Sequence, residues 1–389
     1  MSTNLKAATT ATKIYFFVCG LGLSAWAPLV PFAKDRLALN DANLGLLLLF
    51  LGIGAFSTMP VTGWLLPRLG TKMMMILTAL VIALALPTLA IINTFAGMAV
   101  MLFVFGIGVG GIDIAMNTHG SMVQSVSGKH IMSSLHGLFS VGGLCGPLLV
   151  SAFLKMGLNL LTSVSVLAVV IFVLIIFSYQ NLFTLEDERR SDQDASEENT
   201  GSKNKGSAWL NGTVLILGLM CFIAFLSEGA MIDWAALLLR DHRGADENIA
   251  GIGYAAFSIA MAVMRLAGDK MITQFSNYTV VLAGSCIAFL GYACIIFIPT
   301  LPAALLGFIL IGVGASNIVP VFFSKAGSLK MVSAAAAVSV MGTIGYTGQL
   351  AGPAVLGFLA QHFSLPLALF ITGVMTLVSG CCYWLWQRR

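Results

Sequence analysis

The stretch NLFTLEDERRSDQDASEENTGSKNKGSA, Asn181 to Ala208, stands in the middle of a chain that is otherwise almost wholly apolar. It holds seven of the sixteen acids and no aromatic residue after Phe183. A segment of that composition has too little apolar surface to build a core and reads as a flexible linker. Around it, 58% of the 389 residues are hydrophobic and 9% are charged. A soluble domain carries about 25% charged residues, so this composition belongs to an integral membrane protein. About 20 apolar residues cross a bilayer as a helix. Candidate spans lie near 14–32, 43–66, 73–92, 97–118, 131–154 and 160–180 before the linker. Six more follow it, near 209–236, 249–270, 278–298, 301–323, 332–355 and 365–386. The expectation is an all-α membrane protein of twelve transmembrane helices: a half at 1–180, a cytoplasmic linker at 181–208 and a half at 209–389.

The distribution of charge orients this arrangement. With both termini in the cytoplasm, fourteen Lys and Arg fall inside, among them Arg68, Lys72 and Lys325. Five fall outside (Lys34, Arg36, Lys155, Arg240 and Arg243), and Arg265 stays within a span. The excess of cations inside is the signature of the cytoplasmic face. A net charge of +4 implies no nucleic-acid partner. The seven cysteines lie in apolar runs without a C-x-x-C pair or a Cys/His cluster, so neither disulfides nor a metal site are expected. MSTNLKAATTATK runs into the first apolar stretch without an A-x-A-like site, and an uncleaved N-terminus is expected. A bacterial inner membrane is the expected location, and a monomer the expected state.

The two halves echo each other. WAPL at Trp26 returns as WAAL at Trp234, each before a charged outer loop. GVGGID, ending at Asp113, returns as GVGASN, ending at Asn317. GGLCGP, ending at Pro147, returns as GQLAGP, ending at Pro353. The offsets are 208, 204 and 206 residues, nearly constant and of one membrane polarity. Two six-helix halves in parallel repeat characterise one large class of transporters. The glycines Gly106, Gly108 and Gly111 also satisfy G-x-G-x-x-G. That nucleotide fingerprint requires a preceding strand and a soluble helix, and the surroundings offer neither.

The residues resemble the major facilitator superfamily over essentially the whole chain. GWLLPRLGTK, Gly63 to Lys72, is similar to that superfamily's cytoplasmic G-x-L-x-D-R-x-G-[RK]-[RK] motif, with Pro67 where the motif has Asp. Its counterpart from Gly268, GDKMITQFSN, has Thr273 at the acidic position. G-x-x-x-G-P at Gly142, Gly146 and Pro147, and again at Gly348, Gly352 and Pro353, resembles a second signature. MNTHGSMVQ, MSSLHGLFSVGG and EGAMIDW are similar to a YbjJ-like group of bacterial transporters, and more distantly to fucose-type proton-coupled sugar permeases. The resemblance implies rocking of two halves around a central cavity. It also implies a cytoplasmic gate, for which Arg68, Lys72, Arg265 and Asp269 are the candidates.

Three acids lie within spans: Asp113, Glu228 and Asp233. A charge at the bilayer centre costs about 2.5–3.5 kcal/mol on insertion scales, and such residues face a cavity or a partner. They are the candidates for proton coupling. Residues 106, 110, 113 and 117 share one face of the fourth span, which places Asp113 beside Asn117 and two glycines. A structural role, a hydrogen bond to a neighbour admitted by the glycines, is the competing reading. Glu228 and Asp233 are about 140° apart on a continuous helix, so both reach one cavity only if Gly229 breaks it. Arg265 and Asp269, four residues apart, read as a pair at the inner end of the eighth span, with Arg265 snorkelling. Trp26, Asn117, His136, Trp234, Asn317, Tyr346 and Gln349 are the candidate solute-binding residues. For the two tryptophans, an interfacial anchor is the alternative role.

No Walker motif, nucleophile–base pair or metal-ligand set is visible. The chain therefore reads as a non-enzyme without a cofactor, using an ion gradient, most simply protons. A sugar or sugar acid is the expected solute, and the lipid bilayer is its medium. Efflux of amphiphilic compounds is the alternative, with 19 Met and 25 Phe available to line an adaptable cavity. A membrane sensor or lipid-handling protein without ion coupling is a third reading, resting on the altered motifs at Pro67 and Thr273.

Overall fold

The computed structural model describes residues 4–39, 41–189, 208–244, 252–330 and 332–388. Positions 190–207, the greater part of the expected linker, lie outside the described residues. Among those described there are helices and turns and no strands. In order they are α1 (Leu5–Ser24), α2 (Leu29–Arg36), α3 (Asp41–Leu89), α4 (Phe95–Ser127), α5 (Met132–Lys155) and α6 (Leu160–Ser178). After the linker come α7 (Gly212–Arg243), α8 (Ile252–Phe275), α9 (Asn277–Phe297), α10 (Leu301–Ala315), α11 (Ile318–Gly327), α12 (Ala334–His362) and α13 (Leu365–Gln387).

Ten stretches among the described residues are long and apolar enough to cross a membrane. One of them, Leu46–Leu89, has 44 residues, and α3 turns within it at Gly70, whose φ of 76° suits a residue without a side chain. It supplies two crossings, and the 29-residue α12 adds another, making twelve. Only helices satisfy every backbone group within one segment in hydrocarbon, which is why the apolar runs fold this way. Large apolar side chains such as Leu84, Leu148 and Phe177 point outward from the spans, where lipid replaces water as their neighbour. Polar side chains close the ends. Thr94, Asn159, Asn211 and Ser364 accept from the third backbone N–H beyond them at the starts of α4, α6, α7 and α13.

The chain forms two compact units. The first is Met1–Lys129, Leu138–Ala208 and Gly327–Val340; the second is His130–Gly137, Trp209–Ala326 and Met341–Arg389. Two helices are therefore shared. The first turns of α5 belong to the second unit and the remainder to the first, while α12 is divided in the opposite sense. In the first unit, Ser339 near the start of α12 donates to the Met59 carbonyl at 2.9 Å and lies over Gly63.

Helix packing within each unit repeats with a fixed register. Gly106 lies against the Leu51 carbonyl and Gly312 against the Phe257 carbonyl, both members advanced by 206 residues. Gly108 lies against Thr78, and Gly314 against Gly284, again 206 residues on. Small residues let the backbones approach, the usual way helices pack in lipid. This register corrects the 204-residue match of GVGGID to GVGASN. The packing counterpart of Asp113 is Val319, and that of Asn317 is Gly111. The shared letters G-V-G hid a shift of two, because the glycines in the two strings meet different neighbouring helices.

Candidate functional site

In the first unit the site is centred on α4. Gly106 and Gly110 bring that helix onto α3 at Leu51 and Ala55, and Asp113 follows one turn later on the same face. Asp113 is buried. Its Oδ1 accepts from Asn117 Nδ2 at 3.3 Å, and the same Nδ2 donates to the Asp113 carbonyl at 2.8 Å. Its Oδ2 has no hydrogen-bond partner among the described residues. Thr62 Oγ1, also buried, likewise has none. The glycines thus do the packing and the carboxylate is left half-satisfied, an arrangement that costs free energy unless another group completes it.

The second unit holds a larger polar cluster. Arg265 of α8 donates through Nη2 to Glu228 Oε1 of α7 at 2.8 Å. The arginine side chain is 5% exposed and the glutamate 16%. Arg265 is therefore buried within the unit, and its stem does not carry the charge out to a headgroup layer as expected from sequence. Its Nε donates to the Ser316 carbonyl at 3.0 Å. The cause lies in the sequence. In an α-helix the Ser316 carbonyl would accept from the residue four places on, and that residue is Pro320, which has no N–H. The tenth span breaks between α10 and α11 here, and the guanidinium takes up the carbonyl the break leaves.

Around this pair, Asn317 Nδ2 donates to Ser316 Oγ at 3.0 Å, while its Oδ1 is buried against Gly268 without a partner. Ser133 Oγ is also buried without a partner. Asp269, one turn beyond Arg265, accepts from the Ser133 and Ser134 backbone N–H groups at 3.0 and 3.1 Å. It thereby caps the N-terminus of α5, an interaction of about 1 kcal/mol in soluble helices. His136 is buried on that same first part of α5, its ring tilted against Phe323 at 5.7 Å. Glu228, Arg265, Asn317, His136 and Asp269 are thus brought together in one unit.

Other candidates stand apart. α7 runs unbroken through Gly229, so Asp233 lies on a different face from Glu228 and is exposed. Trp26 is buried in the turn between α1 and α2, and Trp234 is half-buried against Gly357 and an apolar cluster that includes Phe257 and Phe308. Both indole N–H groups lack a partner among the described residues. Tyr346 packs on Phe225, ring centroids 5.1 Å apart, and Gln349 lies over Gly229. Arg68 stacks on Trp64 at 3.8 Å, and Lys72 faces Tyr179 at 5.5 Å. Among the described residues no group of three or more His, Cys, Asp or Glu is placed to hold a metal ion.

The profile of the Major Facilitator Superfamily matches residues 14–346 and 217–389. The chain belongs to the major facilitator superfamily. An uncharacterized MFS-type transporter of Yersinia pestis is 43% identical over 369 residues, covering 94% of this chain and 92% of its own. Among solved structures, the E. coli fucose:proton symporter FucP in its outward conformation superposes with a TM-score of 0.77 at 16% identity, over 96% and 98% of the two chains. The human organic anion transporter MFSD10 gives 0.76 at 16% identity, over 98% and 99%. The chain is thus a membrane transporter by family, with the superfamily's fold.

Within that fold several residues escape the sequence reading. Arg36 donates to the carbonyls of Leu89, Ala90 and Ile92, at 2.7, 2.5 and 2.9 Å, closing the C-terminal end of α3. Arg243 donates to the Ile295 carbonyl near the end of α9, 206 residues after Leu89. Both were counted only as outer-loop charges. Glu188 accepts from the backbone and hydroxyl of Thr71, just past the turn at Gly70. It brings a carboxylate to the motif loop, in which Pro67 has replaced the acid. His119 accepts at Nε2 from the Phe183 N–H at 3.0 Å, which leaves Nδ1 to donate to Thr12 Oγ1 at 2.9 Å. Leu182 and Phe183 are fully buried, so the start of the expected linker is part of the packed unit.

Proposed function

We propose that this superfamily member is a secondary active transporter that moves a small polar solute together with protons. Its two six-helix halves would alternate access to a central site from the two sides of a bacterial inner membrane. The observation that carries the reading is Asp113: a buried carboxylate with one oxygen answered by Asn117 and the other without a hydrogen-bond partner among the described residues. A group in that state needs a partner that comes and goes, and a proton is the smallest one. Glu228, held by a single charged neighbour and more exposed than it, is the second candidate. The fold supports a sugar or an organic anion as solute, since FucP is named a fucose:proton symporter and MFSD10 an organic anion transporter. Asn117, Asn317, Tyr346 and Gln349 would supply neutral hydrogen bonds, and Trp26 and Trp234 free indole donors.

The test is transport in proteoliposomes with an imposed pH gradient. The wild-type chain should accumulate solute. Asp113→Asn keeps the shape of the protonated acid, so it should fold, bind and exchange solute but not concentrate it. Accumulation by Asp113→Asn at the wild-type level would remove Asp113 from coupling. Reporter fusions after Ala208 and Arg389 should both report the cytoplasm, and one found outside would refute the orientation drawn from the charge asymmetry.

A further inference from the structure

We propose that Arg68 and Lys72, at the turn of α3, form a binding site for an anionic phospholipid, with the end of α6 beside them. The stretch Gly63–Lys72 joins two crossings and holds two cations and no acid, since Pro67 stands where the superfamily motif has Asp. Neither cation has a carboxylate partner among the described residues. Glu188, the carboxylate that reaches this turn, is directed to Thr71 instead, accepting from its N–H at 2.8 Å and from its hydroxyl. The cations expected in outer loops are engaged by contrast: Arg36 and Arg243 with backbone carbonyls, Arg240 with Asp241.

Each cation lies on an aromatic ring, Arg68 on Trp64 at 3.8 Å and Lys72 on Tyr179 at 5.5 Å. A ring attracts the charge but takes up little of its hydrogen bonding, because the guanidinium N–H groups point outward in its plane and the ammonium has three donors. Both cations are thus held in place with donors left for an anion. The rings also set their depth. Trp64 is 59% exposed and Tyr179 36%, and Trp and Tyr favour the level of the headgroups. A side-chain carbon built on Gly70 would stand 3.4 Å from Leu185, so the turn and the segment after α6 lie at the same membrane end. Met73 and Phe177, next along α3 and α6, are exposed apolar side chains, a surface suited to acyl chains. Charge complementarity selects the occupant. A zwitterionic lipid brings no net charge to two cations, and its own ammonium would need an acid that Gly63–Lys72 lacks. A lipid with a net negative headgroup matches both the cations and the apolar surface beside them.

The experiment compares retention of dioleoylphosphatidylglycerol and dioleoylphosphatidylcholine by the purified full chain in detergent, read by native mass spectrometry. The wild type should retain phosphatidylglycerol in preference. Arg68→Gln and Lys72→Gln should each weaken that retention about fivefold, and the double variant about 25-fold, from the usual worth of a cation beside an anionic headgroup. Arg240→Gln, a cation already paired with Asp241, should leave it unchanged. Raising salt from about 0.05 M to about 0.5 M should weaken it, since exposed charges are screened. A second measurement locates the lipid. Phosphatidylglycerol with brominated acyl chains should quench Trp64 more strongly than brominated phosphatidylcholine, the Trp64 share being the difference between wild type and Trp64→Phe. Equal retention of the two lipids by the wild type, or an undiminished preference in the double variant, would overturn the proposal. So would equal quenching of Trp64 by the two brominated lipids. Glycerol 3-phosphate or inorganic phosphate displacing the lipid as effectively as free phosphatidylglycerol does would also overturn it, and would assign the cations to a soluble phosphate.

Discussion

Gly106→Ala is the sharpest perturbation of the contact that positions Asp113. A Cβ built on Gly106 would stand well under 3.0 Å from the Leu51 carbonyl oxygen and 2.9 Å from the Ala55 nitrogen. Both obstacles are backbone, so no side chain can rotate away. To restore ordinary van der Waals contact, α3 and α4 must part by about 1 Å along this seam. Forcing a methyl group into packed surroundings costs about 1–3 kcal/mol. Removing a glycine from a helix returns about 1 kcal/mol. The net expectation is a loss of up to about 2 kcal/mol. Gly143→Ala provides the control, since a Cβ there would meet nothing within 4 Å. It should stabilise by up to about 1 kcal/mol, from the same helix term without the clash. Gly312→Ala, the packing counterpart against the Phe257 carbonyl, should behave like Gly106→Ala. The assay is thermal unfolding in detergent, followed with a thiol-reactive fluorophore that reports exposure of the buried Cys19 and Cys221. If Gly106→Ala and Gly143→Ala unfold at the same temperature, the close approach of α3 and α4 is not what Gly106 provides.

Substitutions at two further residues test the parts that sequence reading passed over. Arg36→Gln removes the charged donor shared by three carbonyls at the end of α3 and should cost about 2 kcal/mol in the same unfolding assay. Arg36→Lys should recover less than half of that, because an ammonium cannot span three carbonyls, and a fully stable Lys variant would show that charge alone suffices. His119→Ala strands the buried Phe183 N–H, while the Thr12 hydroxyl keeps its bond to the Ala8 carbonyl, and should cost about 1–3 kcal/mol. Stability within about 0.5 kcal/mol of wild type would mean that these groups find other partners.

The twelve-helix plan was legible because it rests on composition, span length and a repeated string of small residues, all local properties. The register of the repeat was less so. G-V-G occurs in both halves, yet what the repeat preserves is which carbonyl each glycine faces, and that depends on a second helix 30 or more residues away. The site shows the same limit. Arg265 and Asp269 stand four residues apart in sequence, a spacing that gives no sign of the contacts Arg265 makes with Glu228 and Ser316, 37 and 51 residues distant. One signal for this contact was present in the sequence: Pro320 four places after Ser316, a carbonyl certain to need a donor from elsewhere. Arg36 and Arg243 looked like loop charges because nothing in their neighbourhoods marks the helix ends they close.

The anchoring of Arg265 bears on how the chain is made. Ile252–Phe275 has the lowest mean hydropathy among the candidate spans described, and it carries an arginine near mid-length. Such a charge opposes lateral release from the translocation channel by about 2.5–3.5 kcal/mol. When α8 leaves the ribosome, α7 has already been synthesised and the Ser316 carbonyl has not. Glu228 is therefore the partner in place at that moment, and the helical hairpin α7–α8 enters the bilayer as a neutralised pair. The backbone anchor arrives some 50 residues later. Loss of Glu228 is therefore expected to reduce the yield of inserted chain before any solute is offered.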